Sequence, residues 1–541
     1  MRYRTWSFVF AFWILGLAVW TGNVYANNIA IANSEIKKHD TDSDTITIEF
    51  DISWDNSWYS GINHDAAWVF IKFTTDGGRT WGHATLLASG TNPSVYSNGT
   101  GTSLDIVVPS DCKGAFLKRS AVGEGSVDTN NIQLVWAYGT DNVGDIITTH
   151  KLQVKVMAIE MVYVPAGSFY LGDGNSTAYI PPGGFYNAGS AYSPVLCSSE
   201  GEKTLGGSTS GNLMSKSGMA AQDDFDSGTT KTLPAAFPKG YDAFYAMKYP
   251  VSQGLYVSFL NTLSRTQQQN RIASDISSDS LTNVYVMLNA SAATWRQVIT
   301  APSDIGPTSE RITVSCDRSG RAMNYMSWMD AAAVADWAAL RPMSELEWEK
   351  LCRGTLYPVA GEYAWGNTTI AAATTISGLE NNSETITSPY NANAHYNTTT
   401  LSGGDGGQGP LRVGIFAESS TTRSQAGAGY YSAFDLSGNL WSMVVNVGTA
   451  TGRSFTGSHG DGRLVTDSVG TSYAGNATNT DWPGIDSTAA NGVVAATGAG
   501  LRGGSWNTTS YRLQLSNRYD ANTAPSSRDK EYGFRAVRDA P

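Results

Sequence analysis

Histidine and cysteine are scarce in this chain, and that scarcity excludes the commonest metal and thiol chemistries first. Six histidines (His39, His64, His83, His150, His395, His459) are scattered over 541 residues with no His-x-x-x-His pair, so a zinc-hydrolase motif has no footing. Four cysteines, Cys112, Cys197, Cys316 and Cys352, form no Cys-x-x-Cys motif, and their wide spacing fixes no pairing. Charged residues are also few, at 15%, and the balance is acidic, with a formal net charge of −11 and no Lys/Arg stripe. Nucleic-acid binding rests on neutralising phosphates, so nucleic acid is not an expected partner. Beyond Trp20 no stretch is long and apolar enough to cross a bilayer.

What the chain does have is glycine, tryptophan and short alternating runs. The 57 glycines and 16 tryptophans suit a loop-rich globular protein, and the length exceeds one typical domain. Residues 1–26 read as a secretory signal: Arg2 and Arg4, an apolar run from Trp6 to Trp20, then Val24-Tyr25-Ala26 at the cleavage positions. The run is short for a spanning anchor, and no cysteine follows it to carry a lipid. The expectation is a secreted, periplasmic or cell-surface protein with no membrane span after cleavage, in which the cysteines are free to oxidise.

From 28 to 157 the pattern predicts an all-β sandwich of immunoglobulin or fibronectin type. Thr45–Ile52, Leu104–Val108, Ile132–Tyr138 and Leu152–Val156 alternate between turns rich in Gly, Asn, Asp and Ser. Trp54, Trp58 and Trp68 are expected as packing residues. Asp40, Asp42 and Asp44 imitate the start of a calcium loop. Thr45 stands where the glycine is needed and Asp51 where the glutamate is, so the segment reads as a solvated turn.

A second domain is expected over 158–541. Residues 173–235, rich in Gly, Ser, Thr and Asn, read as an inserted surface loop, with Asp223, Asp224 and Asp226 solvated within it. Three helices have identifiable starts. Ser252 precedes a Tyr256, Phe259, Leu260 stripe. Ser327 and Asp330 form a capping box, with Pro342 as the stop. Ser344 and Glu347 form another, with Gly354 as the stop.

Eight motifs then occur in order: Met161–Phe169, Tyr249–Tyr256, Asn324–Ala331, Arg341–Glu349, Trp365-Gly366-Asn367, Asp435–Trp441, Arg502–Trp506 and Gly533-Phe534-Arg535. The set resembles the formylglycine-generating, sulfatase-modifying factor family. The resemblance implies an α+β C-type lectin-like domain of the formylglycine-generating type. Taken singly, Trp441, Gly438, Gly503, Gly504 and Trp506 are core and turn residues and speak for the fold, not the chemistry.

The resemblance also implies a copper-dependent oxidation by two thiolates five residues apart, shortly after Gly-Gly-Ser. Those positions are Thr508 and Leu513 here, and no cysteine follows Cys352. Soft thiolates suit Cu(I) and these side chains do not, so copper is not expected, and neither is catalysis by Ser505 or Trp441, which match other active-site positions. The family's sulfoxide synthases need an additional helical domain with an iron-binding histidine triad, which the strand-rich N-terminal part does not supply. Calcium is the ion the resemblance does imply, at Asp435, Gly438 and Leu440, with Ser442 replacing a glutamate, and at a second place formed by Asn393, Ala394, Asp405 and Gly407.

The final segment sets small polar residues and tyrosines between apolar and arginine anchors. Its expected binding residues are Asn507, Thr508, Thr509, Ser510, Tyr511, Tyr519, Asp520, Asn522, Thr523, Ser526, Ser527, Asp529, Lys530 and Tyr532. The layout resembles the variable region of retroelement-diversified target proteins; an undiversified binding or structural role fits the same residues. The function expected is non-catalytic binding of a protein or glycan ligand. The alternative is a copper-dependent formylglycine-generating oxidoreductase that activates sulfatases.

Overall fold

The segment Asp65–Thr74 is almost continuously apolar, and a strand of that kind needs cover on both faces. In the computed structural model it has that cover. Ala67, Val69, Ile71 and Phe73 enter one core, while Ala66, Trp68 and Phe70 enter another. The structure describes residues 28–541 apart from 142, 144–150, 175–179, 191, 226–228, 380–383, 399 and 419–420. The expected signal at 1–26 lies outside the described residues, as does Asp226.

The molecule is mostly β with few helices. In the N-terminal part, a four-stranded sheet runs in the order Ala30–Asp40, Thr45–Tyr59, Gly123–Ala137, Thr100–Gly101. Its Ile46, Ile48 and Phe50 share a core with Ile71, Ile106 and Leu117 of a second sheet of nine strands. That second sheet continues through Gln153–Val164 to Phe244–Met247, Ala536–Asp539 and Arg341–Pro342. The boundary expected at 157/158 therefore falls inside one strand, whose first half pairs with Asp65–Thr74 and whose second half pairs with both Asp65–Thr74 and Phe244–Met247. Trp68 adds a tie by donating its indole N–H to the Ala338 carbonyl at 2.8 Å. Trp54 is buried and donates to Asp65 Oδ2, and Trp58 is half-buried.

Residues 173–235 differ from the expected loop. They build a four-stranded sheet of Phe185–Asn187, Leu213–Ser215, Lys203–Leu205 and Lys231–Leu233, whose Phe185, Leu205, Leu213 and Leu233 are fully buried in the main core. Three-residue strands leave no readable periodicity, so composition alone suggested a loop. Asp223 is buried against Arg518 at 2.7 Å and so is not a solvated loop residue, whereas Asp224 is exposed, as expected, and pairs with Arg453 at 2.7 Å.

Helix α1 (Gln253–Leu260) starts where Ser252 Oγ accepts the Leu255 N–H. Helix α2 (Arg265–Arg271) has no apolar stripe and was not expected; its Ser264/Gln267 capping box was the available signal. Helices α3 (Trp328–Trp337) and α4 (Glu345–Arg353) carry their expected boxes, and Gly354 ends α4 at φ +67. Helix α3 stops well short of Pro342.

A three-stranded sheet positions the C-terminal segment. Trp441–Val445 lies between antiparallel Ala499–Arg502 and parallel Tyr532–Phe534, with Trp441 opposite Tyr532. Below it, α4 supplies carboxylates to buried guanidiniums. Arg502 donates to Glu345 and Glu349 at 2.8 Å each, and Arg518 donates to Glu345 at 2.7 Å. Gly503 turns the chain at φ +87, where a Cβ would lie 2.3 Å from the Leu436 carbonyl oxygen.

Candidate functional site

The turn after Arg502-Gly503-Gly504 and the strand starting at Tyr532 face one another across a half-open cavity of about 430 Å³. Seven of the expected residues line it: Asn507, Thr508, Thr509, Asp520, Thr523, Asp529 and Tyr532. Four more complete the wall, Trp441, Leu501, Arg512 and Glu531. Trp441, expected as core, is largely buried yet contributes to the lining. Arg512 and Glu531 were missed because an anchor and a lining residue look alike until the turn is folded.

The wall is held by short polar contacts. Ser505 Oγ donates to Glu531 Oε2 at 2.6 Å, and Asn507 Nδ2 donates to Glu531 Oε1 at 2.7 Å. Arg512 Nη1 donates to Asp520 Oδ2 at 2.8 Å, while its guanidinium lies 3.3 Å over the Tyr519 ring. Burial pushes the Asp520 carboxyl up, with the Arg512 charge opposing it. Burial also raises the Tyr532 phenol, helped by Asp529, Asp520 and Glu531. Three carboxylates, one guanidinium, two aromatic rings, one amide and several hydroxyls thus meet in one place.

The other expected residues lie elsewhere. Ser510 and Tyr511 lie on the 3-10 turn Ser510–Leu513 and do not line the cavity. Tyr519 is covered by Arg512. Asn522 Nδ2 reaches the Gln222 carbonyl at 3.2 Å. Lys530 Nζ stands 4.3 Å from the Trp295 ring centre and 5.5 Å from that of Trp506. Ser526 and Ser527 line a different cavity.

At the two positions expected to correspond to the family's thiolates, Thr508 Oγ1 accepts the Ser505 N–H at 2.9 Å and Leu513 is fully buried beside Tyr363 and Trp365. Both flank Gly504: a Cβ built there would lie 2.4 Å from Leu513 Cδ1 and 3.0 Å from Thr508 Oγ1. Among the described residues no thiol, imidazole or lysine lines the cavity.

The two carboxylates among the positions implied for calcium, Asp405 and Asp435, already face arginines. Asp405 receives Arg318 at 2.9 Å and Arg321 at 2.7 Å, with Arg296 at 3.8 Å. Asn393 spends its amide on Thr369, Ser424 and Ala371, while the Ala394 and Gly407 N–H groups donate to Ala371 and Leu401 carbonyls. Asp435 Oδ2 accepts the Gly414 N–H at 2.7 Å, and Arg535 and Arg412 are its charged neighbours. The Gly438 N–H donates to Gly503, and Leu440 is buried against Tyr249 and Trp506. Among the described residues no three His, Cys, Asp or Glu side chains are grouped to hold a metal ion.

These motifs on this frame define a sulfatase-modifying factor type of domain. Residues 208–540 match the model of the sulfatase-modifying factor enzyme 1-like domain, and the chain belongs to that family. It is 28% identical over 130 residues to the formylglycine-generating enzyme of Bos taurus, covering 23% of this chain and 34% of that one. It is 36% identical over 80 residues to the formylglycine-generating enzyme of Streptomyces coelicolor, covering 15% and 22%. The matched segment thus spans about a third or less of these relatives. Among solved structures, a major tropism determinant U1 variant is 13% identical and the match covers 84% of this chain and 99% of that one, with a TM-score of 0.19. No helix among the described residues is long and apolar enough to cross a membrane.

Proposed function

We propose that this chain is an exported, non-catalytic binding protein. In this reading an N-terminal β-sandwich presents a C-type lectin-like domain, and the cavity beside Thr508 takes a protein or glycan ligand. One observation carries it: the family's thiolate positions hold Thr508 and Leu513, while the adjoining cavity is lined by Tyr, Asn, Thr, Asp, Glu and Arg. Aromatic faces with amide and carboxylate partners suit hydroxyl-rich or polar peptide ligands. The test is a screen of the secreted chain against glycan arrays and purified surface proteins. Binding that persists unchanged in an Asn507→Ala, Asp529→Ala, Tyr532→Phe triple variant would remove this cavity from the proposal.

The fixed frame of Gly503 to Trp506 and the polar segment after it also support a diversified surface. A reverse transcriptase gene beside a near-copy of the coding segment for 507–532, differing at adenines, is the outcome that reading requires. Family membership supports a second function, copper-dependent formylglycine formation. Incubation with copper and a Cys-x-Pro-x-Arg peptide tests it, and turnover there would overturn the binding-only reading.

A further inference from the structure

The segment Thr523–Asp529 has two sides. Thr523 and Asp529 face the cavity described above, whereas Ser526, Ser527 and Arg528 line a separate one of about 370 Å³. Helix α2 supplies Arg271 to this second cavity, and the start of α3 supplies Ser327 and Asp330.

The charges there do not balance. Arg528 takes the Asp330 carboxylate in a two-pronged contact, Nε to Oδ2 at 2.8 Å and Nη2 to Oδ1 at 2.9 Å. Ser327 adds its N–H and hydroxyl to Asp330 Oδ2. Arg271 Nη1 is left 3.5 Å from Oδ1, at ion-pair distance only. Arg271 is 4% exposed, and its Nη2 donates to Asn476 Oδ1 at 2.8 Å. Its Nε and Nη1 have no hydrogen-bond partner in the protein and are closed off from solvent. Among the described residues it is the one arginine with two such nitrogens. Two guanidiniums against one carboxylate leave a net positive cavity in a chain of formal charge −11. Arginine's planar fork is suited to an oxyanion, and a buried guanidinium lacking full pairing favours acquiring one. The cavity also opens at the N-terminal end of α3, where the helix dipole favours negative charge, and hydroxyls of Ser526, Ser527 and Tyr473 stand around it.

We propose that this cavity is a second ligand site, distinct from the one beside Thr508, and that it takes an oxyanion group (carboxylate, sulfate or phosphate), with Arg271 as its charged partner and Ser526 and Ser527 as hydroxyl donors. The volume leaves room for a small body carrying the anion, such as an acidic sugar.

The test is titration calorimetry on the full chain with sodium sulfate, phosphate, acetate and glucuronate, with glucose as the neutral control and sodium chloride at matched ionic strength. Saturable binding of at least one oxyanion is expected, without binding of glucose or chloride. Which probe binds tells a free inorganic ion from an acid carried on a sugar. Arg271→Gln is expected to weaken it about tenfold or more. Should Arg271→Gln fail to fold, Ser527→Glu serves, since Ser527 is exposed and a carboxylate there repels the anion; it is likewise expected to weaken binding about tenfold or more. No saturable oxyanion binding, or equal affinity in wild type and a folded variant, would overturn the proposal.

Discussion

Arg512 is tied to Asp520 by a 2.8 Å hydrogen bond in the wall of the cavity beside Thr508, and among the described residues Arg512 is the only cation lining that cavity. The pair is partly open to solvent, with side-chain exposures of 26% and 19%. It contributes little to folding and much to the shape and charge of the site.

Replacing Arg512 by Gln is therefore expected to change stability by less than about 1 kcal/mol. It frees the Tyr519 ring and leaves three carboxylates facing the cavity, so affinity for the ligand found by array screening changes by about tenfold. Calorimetric titration beside thermal unfolding separates the two effects; a large drop in melting temperature with unchanged affinity would refute this division.

Glu345 presents the opposite case. It is fully buried and accepts from Arg502, Arg518 and the Val447 N–H. Glu345→Gln leaves two guanidiniums short of their counter-charge, at a cost of about 3–5 kcal/mol. Asp223→Asn costs less, because Arg518 retains Glu345. Urea midpoints of the two variants should rank in that order.

His395 is buried, and burial pushes its imidazole down to about 4 against the pull of the Gly409 carbonyl. Its folded-state value lies below the unfolded one, so its contribution is present above about pH 6.5 and lost as pH falls through about 4. That loss amounts to about 3 kcal/mol. A His395→Gln variant does not titrate, so the stability gap between wild type and variant should move by that amount, in the variant's favour, from pH 7 to pH 4. Denaturant midpoints at several pH values measure it; a constant gap would mean His395 is not buried neutral.

Thr508 and Leu513 flank Gly504 as a pair without sulfur. Thr508→Cys with Leu513→Cys is expected to add one equivalent of tight Cu(I) binding over the wild type, read by competition with a chromogenic chelator. Either single variant adds none. Equal Cu(I) uptake by wild type and double variant would show that the two side chains do not converge.

Much of this molecule was legible in the residues. Serine caps at 252, 327 and 344 marked three helices, because a capping side chain acts on the backbone next to it. Seven of the fourteen residues expected to bind come together around one cavity, and the other seven lie outside it. The sheet within 173–235 was not legible, because its strands are three residues long and its core partners are distant in sequence. The surroundings of Asp405 were not legible for a related reason: it is one residue in sequence and meets three arginines in space.

By itself the sequence determined the family, the motif order and the local helix starts, all properties carried by adjacent residues or by single side chains. Tertiary structure decided how the charges pair, that one strand, Gln153–Val164, serves both halves of the chain, and that Thr523–Asp529 divides its side chains between two cavities. Those outcomes depend on contacts between residues hundreds of positions apart, where burial makes every unpaired charge costly and so selects the partner.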